Sequence, residues 1–295
     1  QNHSRLIGIV LKRRKDKYEN IFTDPFHGEL LGALESAIRE QGYYMMIYIS
    51  EDIEEIVRNI VGWNTEGLIL IGMLHDDYLK IRSKYKKPAV LIDSYTPKNI
   101  ARYVNIGLDD EEGGYLMTKY LLDCGHRKIA FLADNMEGVD YIRYTGHQRA
   151  LQEYGLDIDL DNLIVIRPSK YERQGNMEEI YAVAHKFTAF MCCSDYYAVT
   201  LMKYLKAKGI RFPEDLSITG FDDNLYAQLA CPSLTTIHQD IFPRGTIAAE
   251  YLFKMIDGWN PKTTNLSLPV RLVVRDSVKI LNPPEDDSSD DSSAL

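Results

Sequence analysis

No run of apolar residues in this 295-residue chain reaches the roughly 18–20 positions that a membrane-spanning helix needs. The chain also lacks the phosphate loops GxGxxG and GxxxxGK[ST], the nucleophile elbow GxSxG and the zinc-protease pattern HExxH. The usual sequence grounds for a nucleotide-dependent enzyme, a serine hydrolase or a metalloprotease are therefore missing. Cysteine is scarce: Cys124, Cys192, Cys193 and Cys231 form no CxxC and match no disulfide scaffold. They read as free, buried thiols of a reducing compartment. An excess of base is lacking too. The formal net charge is -9, and Glu285, Asp286, Asp287, Asp290 and Asp291 supply five of those charges, leaving -4 for the rest. An acidic body of this kind is not a nucleic-acid surface, and no helix-turn-helix, zinc or basic-region pattern is present. The polar lead Gln1 to Arg5 runs straight into a strand, so no signal peptide is expected; a mature product would read the same way.

What the chain does have is alternation. Leu6 to Leu11 reads as a buried strand. Glu29 to Glu40 follows at helical spacing, with Leu30, Leu31, Leu34, Ala37 and Ile38 on one face and Gly42 as its stop. Strands at 44–49, 68–71 and 89–92 then alternate with helices at 53–61 and 77–85. The pattern restarts with strands near 103–106, 129–132, 163–166, 190–193 and 216–220, separated by helices at 112–123, 143–154, 177–185 and 196–208. Near-continuous apolar strands with helical crossovers mean parallel sheets covered on both faces. The fold class is α/β: two doubly wound parallel-sheet lobes joined by several crossovers. A late helix around Ile247 to Ile256 and one strand from Leu268 to Val274 are too few for a third domain, so each lobe is expected to receive a late contribution. The expected partition is 1–107 plus 241–267 for one lobe and 108–240 plus 268–282 for the other. The Pro-, Asp- and Ser-rich tail 283–295 is expected to be disordered.

Ten short pieces carry a resemblance. They are Pro25-Phe26-His27; Glu66 to Leu70; Val90 to Asp93; Gly125 to Ile129; Arg143 with Gly146; Ser194-Asp195 with Ala198; Pro213 to Ser217; Gly220 to Asp223; Pro232 to Ile237; and Leu272 to Ser277. Taken in order, they resemble the effector-binding core of a lactose-repressor (LacI/GalR) family transcription regulator, over essentially Ser4 to Ile280. The resemblance implies a type I periplasmic-binding-protein-like fold and a small-molecule effector, a saccharide, between the lobes. It implies no cofactor, a cytoplasmic homodimer and no membrane partner. Operator DNA would be read through a helix-turn-helix domain outside this chain, because the chain begins where such a core begins. No heptad extension follows Ile280, so a tetramerising tail is not expected.

A sugar pocket needs multi-dentate charged groups for hydroxyls and apolar or aromatic faces for the ring. Arg143 offers a planar fork suited to paired hydroxyls, and the resemblance places it at an effector contact; the competing reading is a structural ion pair. Asp222, just past a strand end, matches an effector-contacting aspartate, while Asp223 beside it reads as a cap for the helix near Asn224 to Leu229. Asp195 either caps the helix that follows it or binds a hydroxyl. Relatives often carry Asn where this chain has Ser194. Asp93 matches a second acceptor position. Phe26 and His27 match ring-contacting aromatics, with a solvent-facing first-turn histidine as the alternative, and Asp24 adds a charge nearby. Tyr171 falls in a loop where relatives place a stacking aromatic, and Ile71 and Ile241 match apolar pocket positions.

The acidic run Asp109 to Glu112 lacks the alternating spacing of a calcium loop and reads as acids at a helix N-terminus. The basic run Lys12 to Lys15 could touch DNA phosphate or an anionic effector, but an exposed loop is the preferred reading. Two rivals share the fold. A periplasmic sugar-binding protein is disfavoured by the unpaired cysteines, and an enzyme is disfavoured by the lack of a nucleophile–base pair or cofactor loop.

Overall fold

The computed structural model describes residues 4–13, 21–94, 102–167 and 170–281, with the side chains of 170–174 set aside. The acidic tail 283–295, Arg14 and Lys15 of the basic run, and the side chain of Tyr171 therefore lie outside the described residues.

The first apolar set folds as β1 (Leu6–Lys12), α1 (Pro25–Glu40), β2 (Tyr44–Ser50), α2 (Ile53–Gly62), β3 (Gly67–Ile71), α3 (His75–Lys84), β4 (Ala89–Ile92) and β5 (Val104–Leu108). The second comprises α4 (Asp110–Asp123), β6 (Ile129–Ala133), α5 (Gly138–Glu153), β7 (Leu163–Val165), α6 (Lys170–Ala184), β8 (Ala189–Cys192), α7 (Asp195–Ala207), β9 (Ser217–Thr219), α8 (Leu225–Leu229) and β10 (Thr236–Gln239). The described elements finish with α9 (Ile241–Ile256), β11 (Thr264–Leu268) and β12 (Val270–Val273).

β11 pairs in parallel with β5 at the edge of a six-stranded sheet ordered β11-β5-β4-β3-β1-β2. The second sheet runs β7-β6-β8-β9, and its pairings are parallel too. In both sheets the first strand of the set lies second from the edge and the chain then reverses direction, which is the doubly wound order. β3, β4, β5, β6 and β8 are buried at every position, because helices cover both faces. One apolar cluster lies between the first sheet and α1 and α9, and another between that sheet and α2 and α3. A third fills the second lobe.

The chain passes between the lobes three times: from β5 into α4, from β10 into α9, and from β11 into β12. The third passage corrects the expectation of one strand from Leu268 to Val274. Pro269 has no N–H to give to a ladder, and the run divides there. β11 stays with the first sheet, while β12 pairs antiparallel with β10. Bridges Thr219↔Thr235 and Asp222↔His238 attach this β10–β12 pair to the end of β9.

Two helix contacts depend on missing side chains. α4 and α5 touch backbone to backbone: a Cβ on Gly114 would lie 2.0 Å from the Arg143 carbonyl oxygen, and one on Gly146 would lie 1.9 Å from that of Glu111. α1 and α9 meet at Gly245, where a Cβ would lie 2.8 Å from the Ala33 Cβ. Cys124, Cys192 and Cys193 are buried free thiols, whereas Cys231 is exposed. The expectation of burial fails at Cys231 because the residue sits in the loop after α8 rather than on a strand.

Candidate functional site

In doubly wound sheets, ligands meet the carboxyl ends of the strands. Here those ends carry charge: Asp93 follows β4, Asp134 follows β6, Ser194 and Asp195 lie just past β8, and Asp222 lies just past β9. Two of these aspartates hold backbone conformations that L-residues seldom adopt, with φ 53° at Asp93 and φ 122° at Asp222. Asp and Asn tolerate positive φ best among non-glycine residues, and such strain gathers where a side chain must be aimed.

Arg143, on α5, is almost fully buried. Its Nε donates to Asp110 Oδ1 at 2.7 Å and its Nη1 to the Cys193 carbonyl at 2.5 Å. Its guanidinium lies 3.5 Å from the centre of the Phe221 ring. That geometry follows from the glycine contact of α4 with α5, which brings the first residue of α4 against the second turn of α5. A Cβ on Gly113 would lie 2.6 Å from the same Phe221 ring. Burial pulls the Arg143 pKa down, but Asp110, Asp222 and Asp140 outweigh it and hold the group protonated, above its ordinary value. Asp110 thus does more than favour a helix N-terminus: it is 1% exposed and is the ion partner of Arg143.

Asp222 accepts a hydrogen bond from Gln239 Nε2 at 2.5 Å. Gln239 Oε1 in turn accepts from Arg244 Nη2 at 2.8 Å, and Arg244 Nη1 donates to Asp93 Oδ1 at 2.9 Å. A continuous chain, Asp222–Gln239–Arg244–Asp93, therefore runs from the end of β9 to the end of β4 and bridges the two lobes. Arg244 is 1% exposed, and its guanidinium stands 5.0 Å from the centre of the Phe26 ring. Burial and the neighbouring Asp195 push the Asp222 carboxyl well above the usual carboxylate range, against the pull of Arg143. Burial raises Asp93 as well, against Arg244.

His27 is not a solvent-facing first-turn residue. Its Nδ1 pairs with the Asp24 carboxylate, and its ring packs edge-on against Phe26, 5.0 Å between centres. Ile71 and Ile241 are 4% and 3% exposed and belong to the apolar cluster of the first lobe, beneath this polar layer.

Two readings of the sequence are corrected. Asp195 neither caps its helix nor stands open to a ligand. Ser194 is the cap, accepting from Tyr197 N, while Asp195 is fully buried and accepts from Thr236 Oγ1 at 2.6 Å and Asn224 N at 2.9 Å. A Cβ on Gly220 would lie 2.3 Å from Asp195 Oδ1, so glycine there makes room for the carboxylate. Burial pushes Asp195 up to about 7, with the two hydrogen bonds opposing. Asp223 does not cap α8: Asn224 does, accepting from Tyr226 N, and Asp223 instead binds Arg275 at 2.5 Å and His238 at 2.8 Å.

Arg244, Gln239, Asp110 and the buried pair Asp134 and Asp140 join this region without having been singled out in the sequence. The signal for Arg244 was present: a lone arginine at the start of a helix whose other inward positions are Ile241, Ala248, Ala249 and Leu252. Asp134 accepts from the Tyr197 hydroxyl at 2.9 Å, and Asn135 Nδ2 reaches both carboxylates.

A family model for the periplasmic binding protein-like domain matches residues 118–278. The HTH-type transcriptional repressor PurR of Vibrio vulnificus (strain CMCP6) is 30% identical, over 95% of this chain and 83% of that protein. The arabinose metabolism transcriptional repressor of Geobacillus stearothermophilus is 29% identical, over 95% and 78%. Among solved structures, a complex of the transcriptional regulator CelR with cellobiose superposes with a TM-score of 0.83 at 25% identity, covering 93% of this chain and 85% of that one.

Proposed function

This chain belongs to the lactose-repressor (LacI/GalR) family as an effector-binding core, and from that premise we propose that it senses a saccharide held between its lobes. The observation that carries the proposal is the interlobe chain from Asp222 through Gln239 and Arg244 to Asp93, flanked by Arg143 and by the partly buried ring of Phe26. Carboxylates at strand ends accept hydroxyl hydrogen bonds, arginine forks donate them, and aromatic faces take the ring. The solved relative's cellobiose and the sugar in the name of the Geobacillus repressor support a saccharide.

A ligand that binds between lobes favours one angle between them. In our reading the chain works as a cytoplasmic homodimer, and that angle sets the spacing of two helix-turn-helix readers on the half-sites of an operator. The relatives are repressors; the groups gathered here bind and orient, and we assign no catalytic step to them.

The test is a thermal-shift screen with mono-, di- and trisaccharides on the wild-type chain, Asp222→Asn and Arg143→Met. A ligand at a hundred times its Kd stabilises the native state by about 2.7 kcal/mol. A saccharide that raises the wild-type midpoint but neither variant's supports the site. A saccharide that raises all three equally binds elsewhere and overturns the assignment.

A further inference from the structure

The cations in the cleft are already paired inside the protein, and that pairing says something about the ligand. Its two arginines already have carboxylate partners inside the protein: Asp110 for Arg143 and Asp93 for Arg244. His27 is matched in the same way by Asp24. Four carboxylates, Asp24, Asp93, Asp110 and Asp222, therefore lie beside two arginines and one histidine, and Asp222, which accepts from the neutral Gln239, is in no ion pair among the described residues. No cation of this group is left over for an anionic ligand.

We infer that this cleft takes an effector without an anionic group: a neutral polyhydroxyl molecule or one bearing a protonated amine, and not a sugar phosphate or sugar acid. The inference rests on the sensing reading above and narrows it. A phosphate or carboxylate can use the fork of either arginine bidentately only by taking Arg143 from Asp110, or Arg244 from Asp93 and Gln239. Either exchange leaves an aspartate buried without its cation, which is the costly way to break such a pair. The anion also enters beside Asp222, where burial and Asp195 already disfavour negative charge. A hydroxyl needs no exchange. It donates to Asp222 or Asp93, and it accepts from Arg143 Nη2, which has no hydrogen-bond partner among the described residues. An ammonium group gains from the same carboxylates.

The test uses matched ligands differing only in charge: ribose against ribose 5-phosphate, and glucose against glucosamine, glucose 6-phosphate and gluconate. Each is titrated calorimetrically into the wild-type chain, Asp93→Asn and Asp110→Asn, with pyrophosphate as a bare anionic probe. We expect every anionic member to bind the wild type at least about tenfold more weakly than its neutral counterpart, and the amino sugar at least as tightly as glucose. Pyrophosphate is expected to bind neither site of the wild type and to gain measurable affinity when Asp93→Asn or Asp110→Asn frees an arginine. Two variants are used so that one folding failure does not end the test. A phosphorylated or acidic sugar that binds the wild type more tightly than its neutral partner, and loses that binding in Arg143→Met or Arg244→Met, overturns the inference. So do two folded variants that gain no anion affinity. If no sugar binds while the variants do gain pyrophosphate, the saccharide reading fails and the charge rule stands.

Discussion

Substituting Gly146 with alanine sets two effects of opposite sign against each other. In an exposed helix interior, alanine is more favourable than glycine by about 1 kcal/mol. At Gly146, however, the added Cβ would stand 1.9 Å from the Glu111 carbonyl oxygen, and real Cβ contacts essentially never fall under 3.0 Å. The obstacle is backbone of α4, so no side chain can swing away: the helices must part by at least about 1 Å, or one must bend. Overpacking costs roughly 1–3 kcal/mol when side chains can adjust; with backbone on both sides we expect the upper end, for a net loss of about 2 kcal/mol after the helix gain. The displacement also reaches the site, because Arg143 is one turn earlier on the same face and its 2.7 Å contact with Asp110 crosses the same interface. The expected outcome is a lower urea midpoint for Gly146→Ala by circular dichroism, together with weaker effector binding. A midpoint at or above wild type would mean that helix propensity wins, and would refute the claim that this close contact places Arg143.

Three further outcomes are expected. Asp195 holds its proton up to about 7 in the native state, against about 3.9 when unfolded. The native state therefore binds more protons between those values, and this group's contribution to stability falls as pH rises through them; Asp195→Asn should gain on wild type between about pH 4 and about pH 7, and a difference that stays constant with pH sinks the argument. Arg244→Met leaves Asp93 and Gln239 without their donor, so it should cost roughly 3–5 kcal/mol in chemical denaturation, far more than Phe242→Ala on the exposed side of the same helix; equal losses would show that the arginine is not the bridge. One thiol, Cys231, should react with Ellman's reagent in the native protein and the other three only on unfolding, and a native count other than one contradicts the burial pattern.

The sheets were legible because parallel strands covered on both faces are written as unbroken apolar runs, such as Leu68 to Ile71 and Ile129 to Ala133. The division at Pro269 was legible in principle, since proline cannot serve a ladder, but the apolar pattern on either side of it reads as continuous. At the site, sequence position identified Asp222, Asp93, Phe26 and Arg143 as candidates. It could not tell a carboxylate aimed at a ligand from one consumed by its neighbours. Asp195 and Asp222 both follow strand ends, yet Thr236 and the Asn224 amide enclose the first, while the second joins the chain through Gln239 to the other lobe. Arg244 and Gln239 were hidden for a related reason. Their importance comes from contacts spanning 151 and 17 positions of chain, which local periodicity does not register.

The three passages between the lobes are mechanical as well as topological. Two of them are fastened to each other, since the Asp109 amide donates to the Leu268 carbonyl at 2.9 Å. A single tether would let one body swivel freely about the other. Straps lying side by side resist twist and sideways shear but yield to bending across their common width, so the lobes are left with essentially one soft coordinate. An effector held there as proposed would then act on a single angle, and little of its binding free energy would be dissipated in motions that carry no signal.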